Sequence, residues 1–314
     1  MINRRILRIK AFQILYAYFK SGNNSLDNSR KELHFCINKT YELYFNILLL
    51  IIDVFDYAEK IIEIRKNKNL PSKEDLNPNL RLVNNRLIKK IRETKDIISY
   101  KNNNKFSWAN YPELTKKIYN SIVKSDYYNA YMTKSVNDYN NDKLFIKKII
   151  ENEFTTSKYF YDILDEMSIY WGDDVEYVLN MLIKSIKKDT ENNTEFILMD
   201  KFKNIDDKNF VDKLFIKTIA NHDKNKKIID ANTKNWELDR IAFVDMLLME
   251  MAITEAIEMP EIPTKVSLNE YIELAKLFSS KKSSVFINGI LDKTFINLKK
   301  EKIIIKKGSG LIGE

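Results

Sequence analysis

Apolar residues recur at three- and four-residue spacing along most of the chain, the period of a helix with one buried face. The pattern is densest between residues 236 and 294, from Trp236 onward. Asp239 opens a helix in which Ile241, Val244, Leu248, Met251 and Ala252 share a stripe. Its apolar positions spill onto more than one side, which predicts burial over a wide arc. Pro260 and Pro263 stop it, since neither donates a helix hydrogen bond and each restricts its predecessor. Ser267-Leu268-Asn269-Glu270 has capping-box spacing and marks the next start, before Tyr271, Ile272, Leu274, Ala275, Leu277 and Phe278. A polar break, Ser279-Ser280-Lys281-Lys282, leads to a third helix through Phe286, Ile287, Ile290, Leu291 and Phe295. Three amphipathic helices with short breaks predict a helical bundle.

Upstream the same period continues. Residues 1–20 form one helix, and 21–28 a polar loop. A long helix over 31–67 runs through Leu33, Ile37, Tyr41, Tyr44, Leu48, Ile51 and Phe55. Pro71 and Pro78 frame a break, with Ser72-Lys73-Glu74-Asp75 as a short cap. Further helices follow through Leu82, Leu87, Ile91 and Ile98, after Pro112, over 142–154, 158–171 and 175–186, and then over 210–220 and 225–231. No repeat of fixed period and no strand-like alternation beyond a few residues is present. The fold class is all-α. Only six glycines and five prolines in 314 residues agree, because hairpins and βαβ loops need them.

The chain is long enough for two domains, or for one domain with a large insertion. No apolar run reaches the roughly 18–20 residues that span a bilayer, and the start of the chain lacks a small-residue cleavage site. Cytoplasmic location is the expectation. One cysteine, Cys36, excludes an internal disulfide or a cysteine-built zinc site. The net charge of +8 permits a polyanionic partner. A composition rich in Asn, Lys and Ile, as an AT-biased genome produces, accounts for the same bulk charge.

Where the charge sits carries more. Residues 1–20 hold Arg4, Arg5, Arg8, Lys10 and Lys20 and no acidic side chain. At about 100° per residue, Leu7, Ala11, Ile14, Leu15 and Tyr18 form an apolar stripe, with Arg4, Arg5, Arg8, Phe12 and Tyr16 on an adjacent face. Guanidinium forks grip phosphates and aromatic rings stack on bases, so this face suits single-stranded RNA. A solvated basic face beside core aromatics reads the same way.

The stretch from Ile262 to Glu270, followed by Ile272-Glu273-Leu274-Ala275-Lys276 and by Phe286-Ile287-Asn288-Gly289-Ile290-Leu291-Asp292-Lys293, resembles the C-terminal half of the NusB family. Gln13-Ile14-Leu15-Tyr16 resembles the end of that family's arginine-rich first helix. Runs such as Glu74-Asp75-Leu76-Asn77-Pro78-Asn79 resemble the longer NusB-like proteins of Bacteroidetes. The resemblance implies a core of two small helical bundles. Residues 1–30 would hold its first helix, 31–204 a helical insertion, 205–300 the C-terminal core, and 301–314 a flexible tail. It implies transcription antitermination on ribosomal RNA operons, through a boxA-type RNA and the ribosomal protein NusE in a transcription elongation complex. The RNA residues would be Arg4, Arg5, Arg8, Tyr16, Lys281, Lys282 and Ser283, and Asp245 would touch the protein partner. Where many relatives are acidic, this chain has Lys281 and Lys282. Oligomeric state stays open.

Nothing groups for catalysis. His34 and His222 sit in unrelated contexts, and Cys36 reads as a small buried residue. Paired acidic residues at helix starts complement the helix dipole. Gly308-Ser309-Gly310 has no following element and is no phosphate loop. The expectation is no enzyme, cofactor or metal. Two alternatives are an RNA cytosine methyltransferase, which would need a cofactor-binding domain and more cysteines, and a protein scaffold whose insertion covers the RNA face.

Overall fold

The computed structural model describes residues 1–22, 25–104, 106–136, 138–233 and 240–312. Among them every regular element is helical. In chain order these are α1 (Arg4–Lys20), α2 (Leu26–Lys66), α3 (Lys73–Leu76), α4 (Arg86–Glu93) and α5 (Lys95–Asn103). Next come α6 (Pro112–Lys124), α7 (Asp126–Thr133), α8 (Tyr139–Ile149), α9 (Lys158–Met167) and α10 (Val175–Lys188). Last are α11 (Ile205–Ala220), α12 (His222–Asn232), α13 (Phe243–Glu258), α14 (Thr264–Phe278) and α15 (Lys281–Lys300). They divide into a first unit, residues 1–37 with 201–314, and a second unit, 38–200. Within the long α2, residues up to Ile37 belong to the first unit.

In the first unit α13 is the central helix, touching α1, α11, α12, α14 and α15. Every residue from Asp245 to Ala256 is buried. That is the arrangement its two-sided apolar pattern predicts, since a helix apolar all round must be surrounded. This helix was expected to open at Asp239, which lies outside the described residues. In the described chain it begins at Phe243. α14 starts at Thr264, directly after Pro263, so Ser267 does not cap it. Ser267 is instead fully buried, and its hydroxyl donates to Glu255 Oε1 at 2.7 Å. A capping box does form at α3, where Ser72 and Asp75 each accept the other's backbone N–H at 3.1 Å.

Residues after α15, expected as a flexible tail, are tied down as far as they are described. Ile304 is buried, and the Lys307 N–H donates to the Pro260 carbonyl at 3.0 Å. The Lys306 ammonium donates to the Ala256 and Met259 carbonyls, at 2.7 and 3.1 Å, completing orphan acceptors at the C-terminal end of α13. Gly310 packs so closely that a Cβ there would overlap the Pro260 carbonyl.

The second unit has its own core, built on α2 residues from Leu43 to Ala58 and on α4 to α10. Trp108 is buried and donates its indole N–H to the Asn46 carbonyl at 2.7 Å. One helix was expected through Leu82 to Ile98, and two are found. Thr94 takes an extended conformation between α4 and α5, and its hydroxyl accepts the Phe196 N–H at 3.0 Å. That distant partner is invisible to local periodicity.

Candidate nucleic-acid interface

Asn3 caps α1 by accepting the Ile6 N–H at 3.0 Å, so Arg4 and Arg5 fall in its first turn. Each arginine meets a carboxylate. Arg4 Nε donates to Asp207 at 2.8 Å, with its guanidinium 5.1 Å from the Phe210 ring centroid. Arg5 makes a two-pronged bond to Glu270, at 2.9 and 2.7 Å. This bond holds the Glu270 carboxyl below its ordinary range, against the opposing effect of burial. About half of the Arg5 side chain remains exposed.

Arg8 departs from expectation. It is buried, and donates to both oxygens of the fully buried Glu255 at 2.7 and 2.6 Å. Ser267 and Tyr271 complete the Glu255 shell, the latter through its hydroxyl at 3.1 Å. The attraction of Glu255 outweighs burial and pushes the Arg8 pKa above its usual value. Arg8 therefore ties α1 to α13 and α14 and cannot offer its fork to RNA. Helical spacing placed it beside Arg4 and Arg5; only the tertiary partner separates them.

Tyr16 stands three turns further along α1, about 18 Å from Arg4 by helix rise. It is partly exposed, and its ring meets Phe243 edge-on at 5.5 Å. Phe12, expected on the same face, is buried against Phe278 at 4.7 Å. Phe243 begins α13, and the Lys20 ammonium lies 4.3 Å above its ring. Beside this end of α13 begins α15, capped by Ser280, which accepts the Ser283 N–H at 3.0 Å. Lys281 and Lys282 are exposed in its first turn, and the Ser283 hydroxyl contacts that of Ser280 at 3.0 Å. The dipole adds partial positive charge at this end of α15.

The N-terminal ends of α13 and α15 enclose an open cavity of about 810 Å³. Lys281, Lys282 and Ser283 line it with Ile241, Val285 and Phe286, and so does Asp245. Asp245 was expected on a surface touching a protein partner; its side chain is buried, and the residue is one of those lining this cavity. Its Oδ1 has no hydrogen-bond partner among the described residues. The structure thus brings Tyr16, Lys281, Lys282, Ser283 and Asp245 to one end of the unit, with Arg4 and Arg5 at the other end of α1. Phe243, against Tyr16, and Phe286, on the cavity wall, lie beside these residues and were not singled out as candidates in the sequence. An aromatic residue close to a basic turn was the available signal.

Charge divides sharply between the units. Residues 38–200 hold 25 basic and 25 acidic side chains, and the rest of the chain 27 and 19. The first unit therefore carries the whole +8. Among the described residues no helix is long and apolar enough to cross a membrane, and no group of three His, Cys, Asp or Glu could hold a metal.

Residues 175–295 match the model of the NusB family. The chain is 39% identical over 106 residues to the transcription antitermination protein NusB of Salinibacter ruber, covering 34% of this chain and 66% of that protein. It is 42% identical over 105 residues to that of Chloroherpeton thalassium, covering 33% and 50%, and 39% identical over 93 residues to that of Natranaerobius thermophilus, covering 30% and 67%. The aligned part thus spans between half and about two thirds of each relative. No solved structure matches. The family match begins at Val175, inside the second unit, and leaves α1 outside.

Proposed function

The chain belongs to the NusB family, and from that membership we propose that it is a non-enzymatic transcription antitermination factor. It acts in the cytoplasm on a boxA-type single-stranded RNA, together with ribosomal protein NusE, in elongation complexes on ribosomal RNA operons. Residues 1–30 and 205–300 form the family core, with an insertion between its helices over 31–204, of which 175–204 also fall within the matched family region.

One observation carries the RNA reading: two exposed lysines in the first turn of a capped helix border a cavity lined also by Arg240 and Phe286. Lysines and a helix N-terminus attract phosphate, while rings accept stacked bases. The unit that bears this feature also carries all the net charge. The RNA residues are Lys281, Lys282, Ser283 and Tyr16, with Arg4 and Arg5 further along the strand. Arg5 contributes less than a free cation, because phosphate must compete with Glu270 for its fork.

The test is titration of the purified protein with a boxA-like RNA and a scrambled one, across salt concentrations, with and without NusE. The boxA-like preference should persist at higher salt, and Lys282→Ala should flatten the salt dependence by about one unit. Equal, steeply salt-dependent binding of both RNAs, even with NusE present, would overturn the reading and reduce +8 to generic attraction.

A further inference from the structure

We propose that the second unit binds an arginine side chain of a protein partner, in a cavity between α2 and the stretch after α5, with Asp53 as the acceptor. The lining residues all belong to the second unit, so the inference stands apart from the RNA reading above.

The cavity holds about 420 Å³, within the roughly 300–1,000 Å³ of small-ligand pockets. Asp53 and Asp56 line it from α2, and Lys101, Phe106 and Trp108 from the other side. Asp53 is half-buried and makes no hydrogen bond or ion pair among the described residues. Neither of its oxygens is sealed from solvent, unlike Asp245 Oδ1 and Glu250 Oε1 in the first unit, so both stay open to a donor in the cavity. Burial pushes its carboxyl from the ordinary 3.8 up to about 6, an effect that the Lys101 charge opposes and that Asp56 adds to. Lys101 attracts Asp53 without pairing with it, and Asp56 is committed to Arg92. A cation at Asp53 is therefore favoured twice, by direct attraction and by relief of an uncompensated half-buried charge.

The chemistry selects a guanidinium. Two open carboxylate oxygens match its parallel N–H donors, and its plane lies flat on aromatic rings, whereas an ammonium is a compact and more strongly hydrated charge. Phe106 supplies the ring. It is half-buried and meets Trp108 at 88° with centroids 4.9 Å apart, a contact that leaves at least one Phe106 face outside it. The Trp108 indole N–H is already spent on the Asn46 carbonyl, so it does not compete for Asp53. An arginine within a polypeptide fits better than free arginine, whose α-carboxylate would enter beside Asp53 and Asp56 and be repelled.

The test titrates the isotope-labelled full chain with N-acetyl-arginine amide, its lysine and citrulline equivalents, and free arginine, following the Trp108 indole N–H signal by NMR. Citrulline keeps the shape of arginine without the charge. Blocked arginine should shift the signal saturably and bind about tenfold more tightly than the citrulline form, the scale of hydrogen bonds to a charged group. The lysine form and free arginine should both bind more weakly than blocked arginine. Asp53→Asn should erase the difference between arginine and citrulline, with a melting temperature at or above wild type because a half-buried charge is removed. No saturable shift, equal binding of citrulline, or unchanged arginine affinity in Asp53→Asn overturns the site. Lysine binding as tightly as arginine overturns the guanidinium assignment, and free arginine binding as tightly as the blocked form overturns the protein partner. If Asp53→Asn does not fold, Lys101→Gln serves as the second variant. It removes the chain's own attracting cation from an exposed position and should tighten blocked arginine several-fold. Unchanged binding in that variant also overturns the site.

Discussion

Arg8 and Glu255 show how a single residue can belong to a functional pattern and serve the core. Their bidentate contact is fully buried, with Ser267 and Tyr271 filling the remaining acceptor positions. Arg8→Ala would leave the Glu255 charge buried without its counter-ion, at a cost of about 3–5 kcal/mol. Urea unfolding measures this, and a loss below about 1 kcal/mol would contradict the structural role. Glu250 sets the expected pH dependence. Burial pushes its carboxyl from the ordinary 4.5 up to about 8, so near neutrality it is protonated beside His222 Nδ1, 2.6 Å away. Between about pH 4.5 and 8 the native state holds a proton that the unfolded chain has released. Its contribution to stability is thus complete below about 4.5 and is lost as pH rises to about 8. His222, lowered by burial, acts oppositely: its contribution is lost as pH falls below its ordinary 6.5. Glu250→Gln should flatten the decline toward pH 8, as read by melting temperature across pH. An unchanged slope would show that Glu250 is ionised in the fold. Neither pair was legible in the sequence, because each joins two different helices and forms only when they pack. The pattern showed only that these helices are amphipathic.

At the scale of elements, periodicity located most helices, since each buries one face and the spacing of that face is local. It failed where a helix end depends on distant atoms. Thr94 splits α4 from α5 by bonding to Phe196, and Ser267 is drawn into the Glu255 cluster rather than capping α14. The stretch after α15 is the largest such case. Its polar, glycine-containing sequence reads as a tail, yet its partners are backbone carbonyls at the end of α13, which leave no trace in side-chain pattern. Gly310→Ala tests this directly. A Cβ cannot fit against Pro260, so the segment must detach, with a loss of roughly 1–3 kcal/mol for two or three hydrogen bonds. Limited proteolysis should then cleave after Lys306 or Lys307 much faster than in the wild type. Equal cleavage rates would mean that the contact does not hold the segment.

For the whole molecule, the decisive asymmetry is electrostatic. A chain with evenly spread charge would attract RNA over all of its surface, whereas here the second unit is neutral and the first carries the excess. Long-range attraction should therefore favour the first unit, with α1 and the start of α15 making the short-range contacts. The family motifs and the Lys281-Lys282 turn were legible because they are contiguous in sequence. The cavity was not, because Asp245 and Phe286 meet only once α13 and α15 have packed. The most direct measurement is photocrosslinking of a 4-thiouridine-substituted boxA-like RNA to the intact protein, with adducts mapped by mass spectrometry. Adducts at residues 4–20 and 281–286 are the expected result. Adducts confined to residues 38–200 would contradict the assignment of RNA binding to the first unit.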